Sequence, residues 1–321
     1  MRAELFSVLI SGAGQLGSRH LQGLAKCRLP LRIYVQDVAE VSLFRASQRW
    51  EEVLGQKTHH AVSFLTSLQS VPREVSVAIV ATTAGIRPQV VADICSHSIV
   101  GYWVLEKVLA QSESSLDHIV ARIGADSHAW VNTLRRMLPW YQQIKSRHGL
   151  TGPLTLRVEG GEWGLACNAI HFLDLLAWWT GETLQDIRTD YLDPHWFEGK
   201  REGNWEVLGT MEAWYSGGSH AVISAGKGAA SYVITVSDSH RSWQINEEEG
   251  LARRCDGYEI QGRLPFQSEI SSTLVESILE GGNCDLPTLE ESVAIHRVLI
   301  RGLQEHWKRA GHPTASLVPI T

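Results

Sequence analysis

No apolar run in the 321-residue chain is long enough to cross a bilayer. The five cysteines, at 27, 95, 167, 255 and 284, are odd in number and scattered. None forms a CxxC pair, which argues against a disulfide framework. The 14 histidines contain no HxH or HxxxH spacing, so no metal site is expected. Positive charge is not in surplus either. With 29 Lys and Arg against 35 Asp and Glu, the net charge is −6, so neither nucleic acid nor an anionic membrane is an expected partner. The opening "MRAELFSVLISGAG" has too short an apolar stretch for a secretory signal and no small-residue cleavage site after it. A cytoplasmic location is the matching expectation. Internal repeats and low-complexity tracts are absent as well.

What is present is the composition of an ordinary globular protein, 44% hydrophobic and 20% charged, with length enough for two domains. Tryptophan is abundant, 12 in all, eight of them beyond residue 150. Such flat, amphipathic rings suit sugar-binding clefts and subunit interfaces, and they suit a core equally well.

"LFSVLISGAGQLGSRHLQGLAKC" reads as a short apolar strand, a glycine-rich turn and a helix. Gly12, Gly14 and Gly17 complete a GxGxxG, with Ala13, Gln15 and Leu16 between them. In that context the first glycine allows a tight turn and the second lets the backbone approach a pyrophosphate. The third lets helix and strand pack closely, while the helix N-terminus faces the phosphate charge. The second strand, "LRIYVQD", ends at Asp37, 20 positions past Gly17. A carboxylate there accepts hydrogen bonds from the adenosine ribose hydroxyls and repels a 2′-phosphate, so NAD is expected ahead of NADP.

Strands and helices then keep alternating through "HAVSFLTS", "VSVAIVATT", "GYWVLEK" and "SHAWVNTL". The intervening helices are "VAEVSLFRASQRWEEVLG", "IRPQVVADICSH" and "SESSLDHIVARIGA". Alternation of this kind predicts a doubly wound parallel sheet with right-handed crossovers. Ligands of such sheets bind beyond the carboxyl ends of the strands, which places Thr82, Thr83, Glu106 and Lys107 at the cofactor. Later in the chain, "GLACNAIHFLDLLAWWTG" is a helix apolar on almost every side, hence an interior one. Asn168 is its expected N-cap and Gly181 its end. Only His171 and Asp174 break the apolar pattern, three apart and so on one face, where they either satisfy each other or meet a ligand.

Together "GAGQLGSRH", "AIVATT", "VLEKVLA" and "IHFLDLLAWWTG" resemble the Gfo/Idh/MocA oxidoreductases, the glucose–fructose oxidoreductase and inositol dehydrogenase group, across most of the chain. The resemblance implies an N-terminal Rossmann domain and a C-terminal α+β domain with a large, mostly antiparallel open sheet. It implies a nicotinamide cofactor and a sugar, sugar-nucleotide or cyclitol substrate. The family's Glu-Lys-Pro segment matches Glu106, Lys107 and Val108. Its catalytic His matches His171, and the acid three residues on matches Asp174. The family often has an Asp four residues before that His, where this chain has Cys167 followed by Asn168. A thiol does not replace a carboxylate in orienting an imidazole.

From about residue 128 the alternation stops, so a dinucleotide-binding domain over 1–127 and a substrate and oligomerisation domain over 128–321 are expected. "NTLRRMLPWYQQIKSRHG" reads as a linker with a helix, and its Arg136 resembles a family residue of the substrate cleft. "PLTLRVEGGEW", "EVLGTMEAWYSGGSHAVISAGKG", "ASYVITVSDSHRSWQIN" and "GLARRCDGYEIQG" read as an antiparallel sheet, and two amphipathic helices follow. A face of that sheet left apolar and open would drive a homodimer or homotetramer.

The expected chemistry is reversible hydride transfer to or from a carbinol carbon. Lys107 and His171 are the catalytic candidates, either of which could carry the hydroxyl proton. Arg136, Trp163, Asn168, His171 and Asp174 are the substrate-binding candidates, with Asp174 either orienting His171 or binding a second hydroxyl. Two other functions fit the same motifs: a redox-neutral NAD-dependent glycoside-cleaving enzyme, and a non-catalytic NAD-binding regulatory protein.

Overall fold

The computed structural model describes residues 5–53, 59–124, 127–312 and 316–321. The ends of two expected helices, at 54–55 and at 125, lie outside these described residues. The chain forms two compact units. The first contains Met1–Glu106, Asp117–Asn132 and Pro265–Leu289, and the second Lys107–Leu116, Thr133–Leu264 and Glu290–Thr321.

The first unit is built on six parallel strands: β1 (Phe6–Ser11), β2 (Leu31–Gln36), β3 (Ala61–Leu65), β4 (Glu74–Val80), β5 (Ile99–Leu105) and β6 (His128–Val131). Their order is β3-β2-β1-β4-β5-β6, the doubly wound arrangement the alternation implied. Val8, Leu9 and Ile10 of β1 and Val77 to Val80 of β4 have no exposed surface. Central strands covered on both faces need such unbroken apolar runs. Helices α1 (Gln15–Leu24), α2 (Glu40–Val53), α3 (Arg87–His97) and α4 (Glu113–Ile123) connect the strands. A further helix, α7 (Gln267–Gly281), packs on α1. There a Cβ on Gly23 would fall 2.7 Å from the Ser271 Cβ, so the close approach needs a glycine. One cut at 127/128 does not describe this unit. β6 completes the parallel sheet, and α7 returns to it from much later in the chain.

The second unit has eight strands in the order β14-β13-β12-β11-β7-β10-β9-β8. In sequence these are β7 (Thr155–Gly160), β8 (Leu184–Glu198), β9 (Trp205–Tyr215), β10 (His220–Ala225), β11 (Tyr232–Ser237), β12 (Ser242–Asn246), β13 (Leu251–Arg254) and β14 (Glu259–Gln261). All neighbours are antiparallel except β7 and β10. β8 escapes sequence reading. Three register shifts against β9 break its side-chain alternation, and Pro194 lies within it.

Helices α5 (Pro139–Arg147), α6 (Leu165–Thr180) and α8 (Leu289–Arg309) complete this part of the chain. α6 packs on β9 and β10, and the Tyr215 hydroxyl donates to the Leu173 carbonyl at 2.8 Å. Alternation then turns Met211 and Ala213 the same way as Tyr215. On the other face, strand register groups Arg157, Glu159, Glu212, Trp214 and His220. Arg188 of β8 lies 4.7 Å over the Trp214 ring there. This outer face carries charged and amphipathic side chains around Val222, contrary to the apolar open face expected.

Candidate active site

In the first unit the glycine turn has the geometry its spacing implied. Gly12 sits at φ +94°, and a Cβ on it would come within 2.9 Å of the Ala81 carbonyl carbon. A Cβ on Gly17 would lie 1.8 Å from the Gly12 oxygen, so neither position accepts a larger residue. At Gly14 a Cβ would meet nothing within 4 Å. Open space therefore lies beside the start of α1, whose first turn has no side-chain cap and no acidic residue. Unbonded N–H groups and the positive end of the helix dipole face that space, a fit for a pyrophosphate.

Asp37 stands at the end of β2. Its Oδ2 accepts the Ala13 N–H at 2.7 Å and its Oδ1 the Ala39 N–H at 2.9 Å, which ties the acid to the glycine turn itself. At the end of β4 the Thr82 hydroxyl is buried without a hydrogen-bond partner among the described residues, and Thr83 is exposed. Gln15 is exposed and bonded to Arg49 at 2.5 Å, while Leu16 is half-buried. Glu106, just past β5, points inward. It accepts from His20 at 2.9 Å and Asn132 at 2.6 Å. Burial would lift its pKa, but these bonds outweigh that and hold it below the usual carboxylate range.

In the second unit α6 organises the site. The helix starts at Leu165, so Asn168 is in its first turn and is not the cap. The cap is Gly164, in the left-handed region at φ +81°. The Asn168 amide reaches back to donate to the Trp163 and Gly164 carbonyls, both at 3.1 Å. Its oxygen accepts from Lys107 Nζ at 2.8 Å, and Lys107 also donates to the Cys167 carbonyl at 3.3 Å. Glu206 of β9 accepts the Ala166 N–H at 2.9 Å, doing from another element what an N-cap side chain does. The Cys167 thiol is pushed up to about 12, by burial first and by Glu206 second, and stays protonated.

His171 lies one turn beyond Asn168, and both line a cavity of about 220 Å³. Leu134, Phe172 and Leu264 supply its apolar surface, and Arg135 and Tyr232 the remaining polar surface. His171 Nδ1 is buried with no partner among the described residues. Burial, then the charges of Lys107 and Arg135, hold its pKa well below the ordinary histidine value. The ring is therefore a neutral base at pH 7.

His171 and Asp174 do not satisfy each other. Arg136 takes both Asp174 oxygens, at 2.9 and 2.7 Å, and the Thr133 hydroxyl adds a bond at 3.0 Å. This pair lies outside the cavity lining. Trp163 is also outside it. Its indole donates to the Ser224 carbonyl at 2.9 Å, and its ring packs edge-on against Phe172.

Sequence reading passed over Arg135, which lines the cavity where Arg136 was expected. The Arg135 guanidinium is bidentate to Glu247 at 2.8 Å for both bonds and lies 4.6 Å over the Phe172 ring. Tyr232 donates to the same Glu247 at 2.5 Å, and Tyr141 also bonds it. The one available signal was the doubled arginine, since Glu247 reads as one of three exposed-looking acids in "NEEEG". Among the described residues no three His, Cys, Asp or Glu side chains gather as a metal site, and no helix is long and apolar enough to cross a membrane.

Neither a family model nor a curated protein sequence matches the chain. Solved structures do match its fold. Scyllo-inositol dehydrogenase from Lactobacillus casei, with bound NAD(H) and scyllo-inositol, has a TM-score of 0.67 at 15% identity, covering 95% of this chain and 98% of its own. UDP-N-acetylglucosamine 3-dehydrogenase from Acidithiobacillus ferrooxidans has a TM-score of 0.69 at 15% identity, covering 96% and 99%. An Agrobacterium radiobacter oxidoreductase in complex with NAD+, L-tartaric acid and magnesium has 0.69 at 12% identity, covering 94% and 96%. The likeness is one of architecture: a parallel dinucleotide-type unit joined to one with a large, mostly antiparallel sheet.

Proposed function

We propose that the chain is a nicotinamide-dependent dehydrogenase or reductase acting on a CH–OH group of a sugar, sugar nucleotide or cyclitol. The observation that carries this reading is the side-chain set on the first two turns of α6, where Asn168 and His171 line the cavity and Lys107, outside its lining, bonds Asn168. An ammonium, a carboxamide and a neutral imidazole with a free buried nitrogen come within two turns of one helix. The cavity is small and part apolar, part polar, which suits a polyol. Solved structures of the same fold include dehydrogenases of scyllo-inositol and of UDP-N-acetylglucosamine.

The first unit would hold the dinucleotide through Gly12 to Gly17, with Asp37 on the adenosine ribose and Thr82 and Thr83 beyond β4. Asp37 favours NAD, since a 2′-phosphate beside a fixed carboxylate is repelled. A bound nicotinamide supplies hydride acceptance or donation. His171 takes the hydroxyl proton during oxidation and returns it during reduction. Lys107 donates to the same oxygen and favours the negative charge that develops on it. Glu106 acts from behind, holding through His20 and Asn132 the strand end from which Lys107 follows. Arg136 and Asp174 serve as buttress, not as substrate contacts.

The test is absorbance at 340 nm on mixing the protein with NAD+ and a panel of cyclitols, sugars and nucleotide sugars. Net NADH production with one class supports the reading. Bound NAD with no turnover across the panel would favour a regulatory protein, and product formation without net NADH a redox-neutral lyase. Self-association through the outer face of the second sheet, by its charged side chains and Trp214 and not by an apolar surface, belongs to the same proposal, and light scattering on the purified chain tests it.

A further inference from the structure

Two ionisable groups meet the first turn of α6 from different parts of the second unit. Lys107 bonds Asn168 Oδ1 at 2.8 Å and the Cys167 carbonyl at 3.3 Å. Glu206 comes from β9, and its Oε2 accepts the Ala166 N–H at 2.9 Å. The Cys167 N–H and thiol hold the same carboxylate. A Cβ on Gly164 would lie 3.1 Å from Glu206 Oε1 and 3.1 Å from Asn168 Nδ2. The acid and the amide that receives the ammonium thus flank one glycine.

Capping a helix needs only an acceptor, which a serine or asparagine supplies at little cost. A carboxylate only 8% exposed is costly to bury unless a positive charge offsets it. Burial lifts the Glu206 pKa overall; bonds from the Cys167 thiol and the Ala166 and Cys167 N–H groups oppose that lift, and the positive charge of Lys107 adds to them. The groups that bear on Lys107 include His171, Asn168 and Cys167 of α6 and Glu206 of β9. His171 is neutral, Asn168 has no charge and the Cys167 thiol keeps its proton. Of these four, Glu206 is the carboxylic acid.

We propose that Glu206 is a positioning residue for Lys107: its carboxylate, delivered by β9 to the first turn of α6, keeps that side chain an ammonium and directs it onto Asn168. The inference rests on the reading of Lys107 as the group that meets the substrate oxygen. An ammonium held this way keeps its proton while negative charge builds on that oxygen, and its charge survives to higher pH.

The experiment uses the full chain and Glu206→Gln, which keeps one acceptor oxygen for the Ala166 N–H, replaces the other by an NH2 and removes the charge. Trace acetic anhydride labels lysines at a series of pH values, and mass spectrometry of the Lys107 peptide gives the amine's apparent pKa. It should fall by about one unit in Glu206→Gln, the shift expected on removing a nearby opposite charge. With an active substrate, the alkaline limb of kcat/KM should move down by the same amount. Cys167→Asp in the Glu206→Gln background, which returns a carboxylate to the same turn, should restore both. An unchanged labelling curve in a folded Glu206→Gln protein overturns the proposal, even if its thermal midpoint drops, because that is what a mere helix cap would do. Should Glu206→Gln fail to fold, Glu206→Asp keeps the charge but withdraws it by one methylene. A smaller shift of the same sign is expected there, and no shift overturns the idea. Labelling needs no turnover. A shifted curve without NADH production would therefore sink the dehydrogenase reading alone, and turnover with an unmoved curve would sink this inference alone.

Discussion

In the second unit the Arg136 guanidinium grips both oxygens of Asp174, at 2.9 and 2.7 Å, and Asp174 is 1% exposed. Burial lifts the Asp174 pKa, and Arg136 works against that lift. Removing one partner of such a pair leaves a buried charge uncompensated, which costs about 3–5 kcal/mol. Asp174→Ala should therefore lower the urea midpoint strongly, and Arg136→Met added to it should recover part of the loss. The pH dependence of activity, where it survives, should stay that of the wild type, since the pair does not touch His171. A changed acid limb in Asp174→Ala would return Asp174 to the role of His171's partner.

Lys107→Met removes a charge-assisted donor and leaves the first unit untouched. NADH binding, followed by nucleotide fluorescence, should persist, while turnover should fall by about 10²–10⁴-fold, the usual contribution of one acid–base group. Near-normal turnover would take Lys107 out of the mechanism.

His171 makes stability depend on pH in a defined direction. Its folded pKa lies well below the ordinary histidine value of about 6.5, so between the two the unfolded chain binds the extra proton. The associated stability is complete above about pH 6.5 and is lost as pH falls from there toward the folded pKa. Other depressed histidines, His60 and His148 among them, add to the same trend. The informative quantity is thus the difference between wild type and His171→Asn. Thermal midpoints taken from pH 7 to pH 5 should fall less steeply in the variant, and parallel curves would count against a neutral buried imidazole.

Two glycines of one turn should respond oppositely to alanine. At Gly14 the new Cβ meets nothing within 4 Å, so Gly14→Ala should fold with a midpoint near wild type but bind NADH poorly, its methyl occupying the approach of the phosphates. At Gly17 the new Cβ would strike the Gly12 carbonyl at 1.8 Å, so Gly17→Ala should lose about 1–3 kcal/mol of stability by overpacking. Titration calorimetry and chemical denaturation on the two variants check both. Unimpaired NADH binding by Gly14→Ala would remove the dinucleotide from that space.

Local pattern alone made the parallel sheet legible. The apolar runs of β1 and β4, the glycines at 12, 14 and 17 and the acid at 37 are short-range features whose meaning depends on immediate neighbours. Periodicity likewise marked α6 as an interior helix and isolated His171 on it. Contacts across long sequence separations were beyond such reading, because side-chain convergence depends on which strands and turns meet in space. Arg135 and Arg136 are adjacent in one short three-residue-per-turn segment, so their side chains leave about 120° apart, one toward the cavity and one toward Asp174. No feature of the pair itself tells them apart. Glu206 and Glu247 arrive at the site on strands and turns whose pairing the whole second sheet fixes, which is why an acid in an ordinary-looking stretch becomes the buried partner of Arg135 or the anion beside Lys107.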